Sequence, residues 1–215
     1  MAVAAKICGI NDPKAMRVAV DAGARHVGLV FYPPSPRYVT PHEAATLVGL
    51  VPEYVTRVGL FVNPTDAEID AVLAETALDL LQLHGVEEPA RAAELKARTG
   101  IKVMKVIPVA EQADIERAYA YVDVVDWLMF DAKPPKDMVN ALPGGNALSF
   151  EWRLLGGLSW RLPWMLAGGL NAENVAEAVR LSGASVVDTS SGVEDAPGRK
   201  NGDKIQAFLD AVNVL

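Results

Sequence analysis

The sequence is poor in the residues that build disulfides and metal sites. Its 215 residues contain one cysteine, Cys8, and three scattered histidines, His26, His42 and His84. A single cysteine excludes an intrachain disulfide and a cysteine-based zinc site, and it is typical of a protein from the reducing cytoplasm. The histidines do not have the spacing of metal ligands. We therefore expect a cytoplasmic protein without a bound metal.

The sequence also lacks an excess of basic over acidic residues, and it lacks long apolar runs. The net charge of −7 provides no positive field for nucleic acid or for an anionic membrane, so we expect neither partner. A small anion is still compatible, because backbone N–H groups and one arginine can hold a phosphate. The opening residues MAVAAKICGI are too short, and too soon followed by polar residues, for a signal peptide or a membrane span. The predicted outer helix faces carry ordinary charge, and we expect a monomer.

Short apolar, β-branched runs recur along the whole chain, mostly about two dozen residues apart. Runs with little polar alternation are typical of parallel strands that are buried on both faces. The eight predicted strands are Val3–Cys8, His26–Phe31, Arg57–Val62, Asp79–Leu83, Lys102–Ile107, Trp127–Phe130, Met165–Ala167 and Ser185–Asp188.

Helix signals lie between the strands. Asp12-Pro13 predicts a capped helix start with Gly23 at the helix end, and Thr40–Glu43 and Thr65–Glu68 are capping-box sequences. Eight strand-then-helix units predict an α/β protein, a single-domain (β/α)8 TIM barrel over residues 1–215. An open doubly wound sheet is the alternative, but eight strands without a clear edge strand favour closure.

The stretch Ala132–Pro163 breaks this regularity. It is rich in proline and glycine, and only Phe150–Leu155 suggests a short helix. Loops of this length in a compact domain are usually functional or disordered. Because it follows a strand, we expect it on the face of the barrel where active sites form.

Two reactive side chains end predicted strands, where barrel active sites are built. Cys8 ends strand 1, although a lone cysteine is often only a small buried apolar residue. Asp131 ends strand 6, where a buried carboxylate needs hydrogen bonds or a raised pKa; the alternative is an aspartate that caps a helix or anchors a loop. Strands 1 and 6 are three apart around a closed ring. We therefore expect Cys8 and Asp131 to face each other across the mouth of the barrel, so that one group can take a proton while the other gives one.

Other strand ends suggest anion binding. Arg37 lies in a loop stiffened by three prolines and could bind a carboxylate as a two-point fork, or pair with a carboxylate of a surface helix. Gly168-Gly169 follows strand 7 and Ser190-Ser191-Gly192 follows strand 8, where phosphate-binding barrels place backbone N–H donors. Tight turns alone would also explain these glycines.

Lys6 has the same strand parity as Cys8 and should point into the barrel below it. A buried ammonium group needs a partner. We expect Asp188, on the adjacent strand 8, with Asp131 as the second candidate.

Taken together, these residues resemble the phosphoribosylanthranilate isomerase family. The likeness covers essentially the whole chain, in order. The matching segments are Lys6–Ile10, Gly28–Tyr32, Ser35–Val39, Val58–Asn63, Leu81–Gly85, Leu166–Leu170 and Val187–Glu194.

The resemblance implies a cofactor-independent Amadori rearrangement in tryptophan biosynthesis, with a small phosphorylated substrate. Cys8 would be the general base and Asp131 the general acid, with Lys6 lowering the pKa of the thiol. Arg37, His84 and Asp188 would bind substrate, and the phosphate would be bound by Gly168, Gly169, Ser190, Ser191 and Gly192.

Two positions depart from the family pattern. Ala147 stands where a second loop glycine is usual, which could stiffen or distort that loop, and Glu151 replaces an aspartate. Three other functions are the alternatives to the isomerase.

They are a histidine-pathway isomerase with paired carboxylates, an indole-glycerol-phosphate synthase dependent on Lys and Glu, and a barrel that binds a phosphorylated ligand without catalysis. Cys8 at the end of strand 1 is evidence against the first two.

Overall fold

The computed structural model describes residues 2–134, 144–145 and 148–215. In it, eight parallel strands close into a barrel in chain order, which confirms the predicted α/β barrel and excludes the open sheet. The predicted strand ends agree with the observed ones to within two residues. The strands are β1 Ala4–Cys8, β2 His26–Val30, β3 Thr56–Phe61, β4 Leu80–Leu83, β5 Lys102–Val109, β6 Trp127–Ala132, β7 Trp164–Leu166 and β8 Val186–Thr189.

Helices cover the outside of the barrel, and their starts follow the predicted caps. Asp12 accepts a hydrogen bond from the N–H of Ala15, and both the Thr40–Glu43 and the Thr65–Glu68 capping boxes are formed. The helices are α1 Pro13–Asp21, α2 Pro41–Val48, α3 Asp66–Glu75, α4 Pro89–Thr99, α5 Gln112–Glu116, α6 Val175–Ser182 and α7 Gly202–Asn213. None of the helices in the described part of the chain is long and apolar enough to cross a membrane.

The connection from β6 to β7 is described only in part. Its described part contains a 3₁₀ helix, Trp152–Leu155, close to the predicted short helix. Glu151 accepts a hydrogen bond from the N–H of Arg153, so the glutamate caps this helix as an aspartate could. Ala147 lies outside the described residues.

One element was not predicted. After β8 and a 3₁₀ turn at Ser191–Val193, the chain forms an antiparallel hairpin of β9 Glu194–Ala196 and β10 Arg199–Lys200. The hairpin precedes α7, and it brings Glu194 and Lys200 under the loops at the carboxyl end of the barrel.

The core has two layers and leaves one end of the barrel open. A large cluster fills the space between strands and helices, and a smaller one that includes Met104, Met129 and Met165 fills the barrel interior. At the carboxyl ends of the strands, a third and smaller buried cluster consists of Cys8, Val30 and Leu60. A cleft opens above these residues.

Candidate active site

Two adjoining clefts lie over the carboxyl ends of the strands. The first, here called the main cleft, is lined by Cys8, Val30, Tyr32, Ser35, Arg37, Leu60, Val62, Gln82, His84, Asp131, Gly144, Gly145, Asp188 and Ser190. The second, here called the glycine cleft, adds the loops after β7 and β8 and shares five residues with the main cleft, namely Asp131, Gly144, Gly145, Asp188 and Ser190. The structure thus brings together residues from seven strand ends that are far apart in sequence.

Cys8 lies on the floor of the main cleft with Lys6 beneath it. Lys6 is fully buried, and its Nζ donates a 2.8 Å hydrogen bond to Oδ1 of Asp188, the first partner expected. Burial raises the pKa of the Cys8 thiol above its ordinary value, and the charge of Lys6 opposes this rise without cancelling it. Lys6 lowers the pKa of the Cys8 thiol, as expected. The pKa is nevertheless raised overall, because the effect of burial is larger.

Asp131 stands at the end of β6 with one carboxylate oxygen fixed and the other turned towards His84. Its Oδ1 accepts a 2.8 Å hydrogen bond from the N–H of Ala132, and its Oδ2 lies 3.3 Å from Nε2 of His84. Gln82 approaches Nδ1 of the same imidazole at 3.4 Å. The 3.3 Å approach to Asp131 does not have hydrogen-bond geometry, so among the described residues the buried Nε2 of His84 has no hydrogen-bond partner and can meet a bound ligand.

Arg37 is held by an internal carboxylate instead of standing alone. Its Nε and Nη2 donate to Oε1 and Oε2 of Glu194 at 2.8 Å each, and both side chains are buried. The pairing residue belongs to the hairpin strand β9, not to a surface helix as the alternative had it. Nη1 of Arg37 makes no hydrogen bond within the described part of the chain, and the residue lines the main cleft.

The glycine cleft depends on backbone shapes that other residues rarely adopt. Gly168 and Gly169 have φ values of 96° and 65°. The N–H groups of Gly168 and Gly169 donate no hydrogen bond to a backbone carbonyl of the described residues. The hydroxyl of Thr189 donates a 2.6 Å hydrogen bond to the carbonyl of Leu170, which ties the loop after β8 to the loop after β7. Backbone donors from two loops around one cleft are suited to an anion with several oxygens.

The sequence analysis missed several residues of the site. Gln82, Tyr32 and Ser35 line the main cleft, and Glu194 and Lys200 support it from below. A signal for the hairpin was present: Pro197-Gly198 between two short polar runs is a turn sequence. Within the described residues, no group of three or more His, Cys, Asp or Glu side chains is arranged to hold a metal ion.

Comparisons with known proteins agree with this geometry. The family model "N-(5'phosphoribosyl)anthranilate (PRA) isomerase" matches residues 5–211. An N-(5'-phosphoribosyl)anthranilate isomerase of Paramagnetospirillum magneticum is 59% identical, over 98% of this chain and 97% of that protein. The protein of the same name from Paracoccus denitrificans is 58% identical, over 97% and 96%.

Solved structures extend the likeness to three dimensions. The phosphoribosyl anthranilate isomerase of Thermotoga maritima matches with a TM-score of 0.87 and 36% identity, over 99% of this chain and all of that one. Another structure with a TM-score of 0.83 and 34% identity, over 99% and 100%, is a complex with reduced 1-(o-carboxyphenylamino)-1-deoxyribulose 5-phosphate. With its barrel, its cleft and these matches over nearly its whole length, the chain belongs to the N-(5'-phosphoribosyl)anthranilate isomerase family.

Proposed function

We propose that this chain converts N-(5-phosphoribosyl)anthranilate into 1-(2-carboxyphenylamino)-1-deoxyribulose 5-phosphate, a step of tryptophan biosynthesis. One observation carries the proposal: Cys8 and Asp131 line the same cleft, with an arginine and a pair of glycine loops around it. A thiol and a carboxyl group suit a reaction that takes one proton from carbon and gives one to oxygen.

The shape of the cleft agrees with the three parts of this substrate. The phosphate would occupy the glycine cleft, against Gly168, Gly169, Ser190, Ser191 and Gly192. The aromatic ring would lie against the apolar wall of Val30, Leu60 and Val62 in the main cleft. Arg37 would bind the anthranilate carboxylate through Nη1. The sugar would then lie between the two ends, next to Cys8 and Asp131.

The reaction would proceed in two proton transfers. Asp131, as the protonated acid, donates to the furanose ring oxygen while the C1′–O bond breaks, which gives a protonated Schiff base. Cys8, as the thiolate, removes the proton from C2′, and the electron pair moves to give an enolamine. Tautomerisation of the enolamine yields the ketone, so that the whole reaction is an isomerisation without net gain or loss of protons. It requires no cofactor.

His84, Asp188 and Lys6 would support these steps. Nε2 of His84, 3.3 Å from Oδ2 of Asp131, would donate to substrate oxygen or to the carboxylate. Asp188 lines both clefts and would accept from a sugar hydroxyl with the oxygen that Lys6 does not use. The ammonium group of Lys6 favours the thiolate of Cys8, against the burial that raises its pKa.

A product assay tests the proposal directly. The purified chain is incubated with phosphoribosylanthranilate, and formation of the product is followed by fluorescence. We expect turnover by the wild type, and a fall of about 10²–10⁴-fold in kcat for Cys8→Ala and for Asp131→Asn, with little change in substrate binding. Near-normal turnover by either variant would refute the role given to that residue.

The same assay separates the rival functions. A histidine-pathway isomerase or an indole-glycerol-phosphate synthase would turn over its own substrate and not this one. A barrel that only binds would hold the reduced product analogue without forming product. We also propose that the chain acts in the cytoplasm, as one domain and as a monomer; size-exclusion chromatography at micromolar concentration tests the last point.

A further inference from the structure

Lys200 is a buried cation directly behind the substrate-facing arginine. Its side chain has no exposed surface, and Nζ donates to Oε1 of Glu194 at 2.7 Å. The same Nζ donates to the carbonyl of Ser190 at 2.9 Å and to its hydroxyl at 3.2 Å. The three acceptors fix the ammonium group at one point under the main cleft, and no step of the proposed reaction uses it.

The charges around Glu194 show what Lys200 contributes. Arg37 and Glu194 form a two-point pair whose charges cancel. A neutral pair attracts an incoming carboxylate less strongly than a lone guanidinium does, because the negative charge of Glu194 offsets part of the attraction of Arg37. Lys200 donates to Oε1, the same oxygen that accepts from Nε of Arg37, and with its ammonium group protonated the three side chains together carry one positive charge. Burial lowers the pKa of Lys200, and the carboxylate of Glu194 opposes this.

Glu194 has a clear purpose in this cluster. It takes two of the five N–H groups of Arg37, so the guanidinium is fixed in one orientation before substrate arrives. Fixing the arginine with a carboxylate costs the site its positive charge, and Lys200 restores that charge. The pKa of Glu194 is lowered by its two cationic partners, against the effect of its burial, so the carboxylate stays ionised at neutral pH.

We propose that Lys200 is a positioning residue for substrate binding: it keeps the Arg37–Glu194 pair cationic towards the carboxylate of the substrate. The inference rests on the proposed function, because it requires that Arg37 bind that carboxylate. It predicts that Lys200 acts more strongly on binding of ligands that carry the carboxylate than on ligands that lack it, beyond its smaller effects through Ser190 and on the pKa of Cys8.

The first test compares Lys200→Met with Lys204→Met. Lys204 is a matched control: its Nζ donates to the backbone carbonyl of Glu194 at 2.7 Å and pairs with Asp195 at 3.2 Å, but the side chain is 48% exposed and makes no hydrogen bond to Arg37 or Ser190. Titration calorimetry would use reduced 1-(o-carboxyphenylamino)-1-deoxyribulose 5-phosphate and its phenylamino counterpart without the carboxyl group. We expect Lys200→Met to weaken binding of the first by about 30-fold or more and of the second by less than about threefold, and Lys204→Met to change neither by more than about twofold.

A double variant separates charge from packing. In Glu194→Gln/Lys200→Met the cluster again carries the single charge of Arg37, and the amide oxygen of Gln can still accept from its guanidinium. We expect the double variant to bind the carboxylate analogue at least about fivefold more tightly than Lys200→Met alone. A merely structural lysine predicts the reverse, since a second buried contact is lost. If Lys200→Met does not fold, the double variant decides alone: binding within about tenfold of wild type supports the charge argument, and weaker binding contradicts it.

Failure of this inference is distinguishable from failure of the proposed function. If wild type forms product but Lys200→Met weakens both analogues equally, or behaves like Lys204→Met, the role of Lys200 is refuted and the function stands. If wild type forms no product, the function itself is refuted.

Discussion

Two of the buried lysine–carboxylate pairs in the described part of this barrel have similar geometry and different surroundings. Lys6 and Asp188 meet at 2.8 Å inside the barrel, and Lys105 and Glu87 meet at 2.6 Å outside its wall, all with little or no exposed surface. The two lysines nevertheless differ in pKa. Burial alone would lower both, but Asp188 and Cys8 together raise the pKa of Lys6, whereas Glu87 does not fully offset burial for Lys105.

The difference lies in what else each pair contacts. Lys105 also donates to the carbonyl of Gly85, and Glu87 accepts from the N–H groups of Asn63 and Gly85, so this pair holds the loops after β3 and β4. Lys6 has the Cys8 thiol above it and no loop to hold. Burial and ion-pair distance therefore do not show whether an ion pair is functional. The group that the pair contacts next, a reactive thiol or a loop backbone, does show it.

The largest effect that would separate the pairs is expected from Lys6→Met. Loss of the cation raises the pKa of Cys8 further, and the fraction of thiolate at neutral pH falls accordingly. We expect kcat to fall by about 10²-fold at pH 7 and the ascending limb of the pH–rate profile to move to higher pH. The profile of wild type should itself rise above the ordinary thiol pKa. An unmoved limb would show that Lys6 has no influence on the base.

Lys105→Met should reduce stability and leave activity nearly unchanged. Its removal leaves the buried Glu87 without its ammonium partner, which costs about 3–5 kcal/mol of unfolding free energy. Because the pair does not contact the cleft, kcat per folded molecule should stay within about threefold of wild type. Chemical denaturation and the product assay measure the two quantities. A loss of kcat as large as that of Lys6→Met would remove the contrast between the pairs.

The smallest effect is expected at a helix cap far from either pair. Thr65→Ala removes the acceptor for the N–H of Glu68 at the start of α3, which costs about 1 kcal/mol of unfolding free energy. Activity should not change. Thr40→Ala, in the equivalent box of α2, should behave in the same way, and a measurable change in kcat for either would mean that helix ends communicate with the cleft.

The sequence predicted what depends on local pattern and on barrel parity. Strands, helix caps and glycine loops can be predicted from residues that are neighbours in sequence. The Lys6–Asp188 pair follows from the alternation of inward and outward side chains along a strand, once β1 lies beside β8. The Arg37–Glu194 pair joins residues 157 positions apart through a hairpin that belongs to no β/α unit. Pro197-Gly198 signals the turn of this hairpin, but no local pattern encodes its pairing with Arg37. The net pKa of Cys8 could not be predicted, because it depends on the depth of burial in the folded molecule.

The claim on which the rest depends is that a thiol and a carboxyl group act on one sugar from two sides. A crystal structure of the wild-type chain with reduced 1-(o-carboxyphenylamino)-1-deoxyribulose 5-phosphate tests it most directly. We predict Sγ of Cys8 in van der Waals contact with C2′, and a carboxylate oxygen of Asp131 within hydrogen-bond distance of the oxygen that closes the furanose ring in the substrate. A ligand whose sugar carbons contact only one of the two side chains would contradict the account.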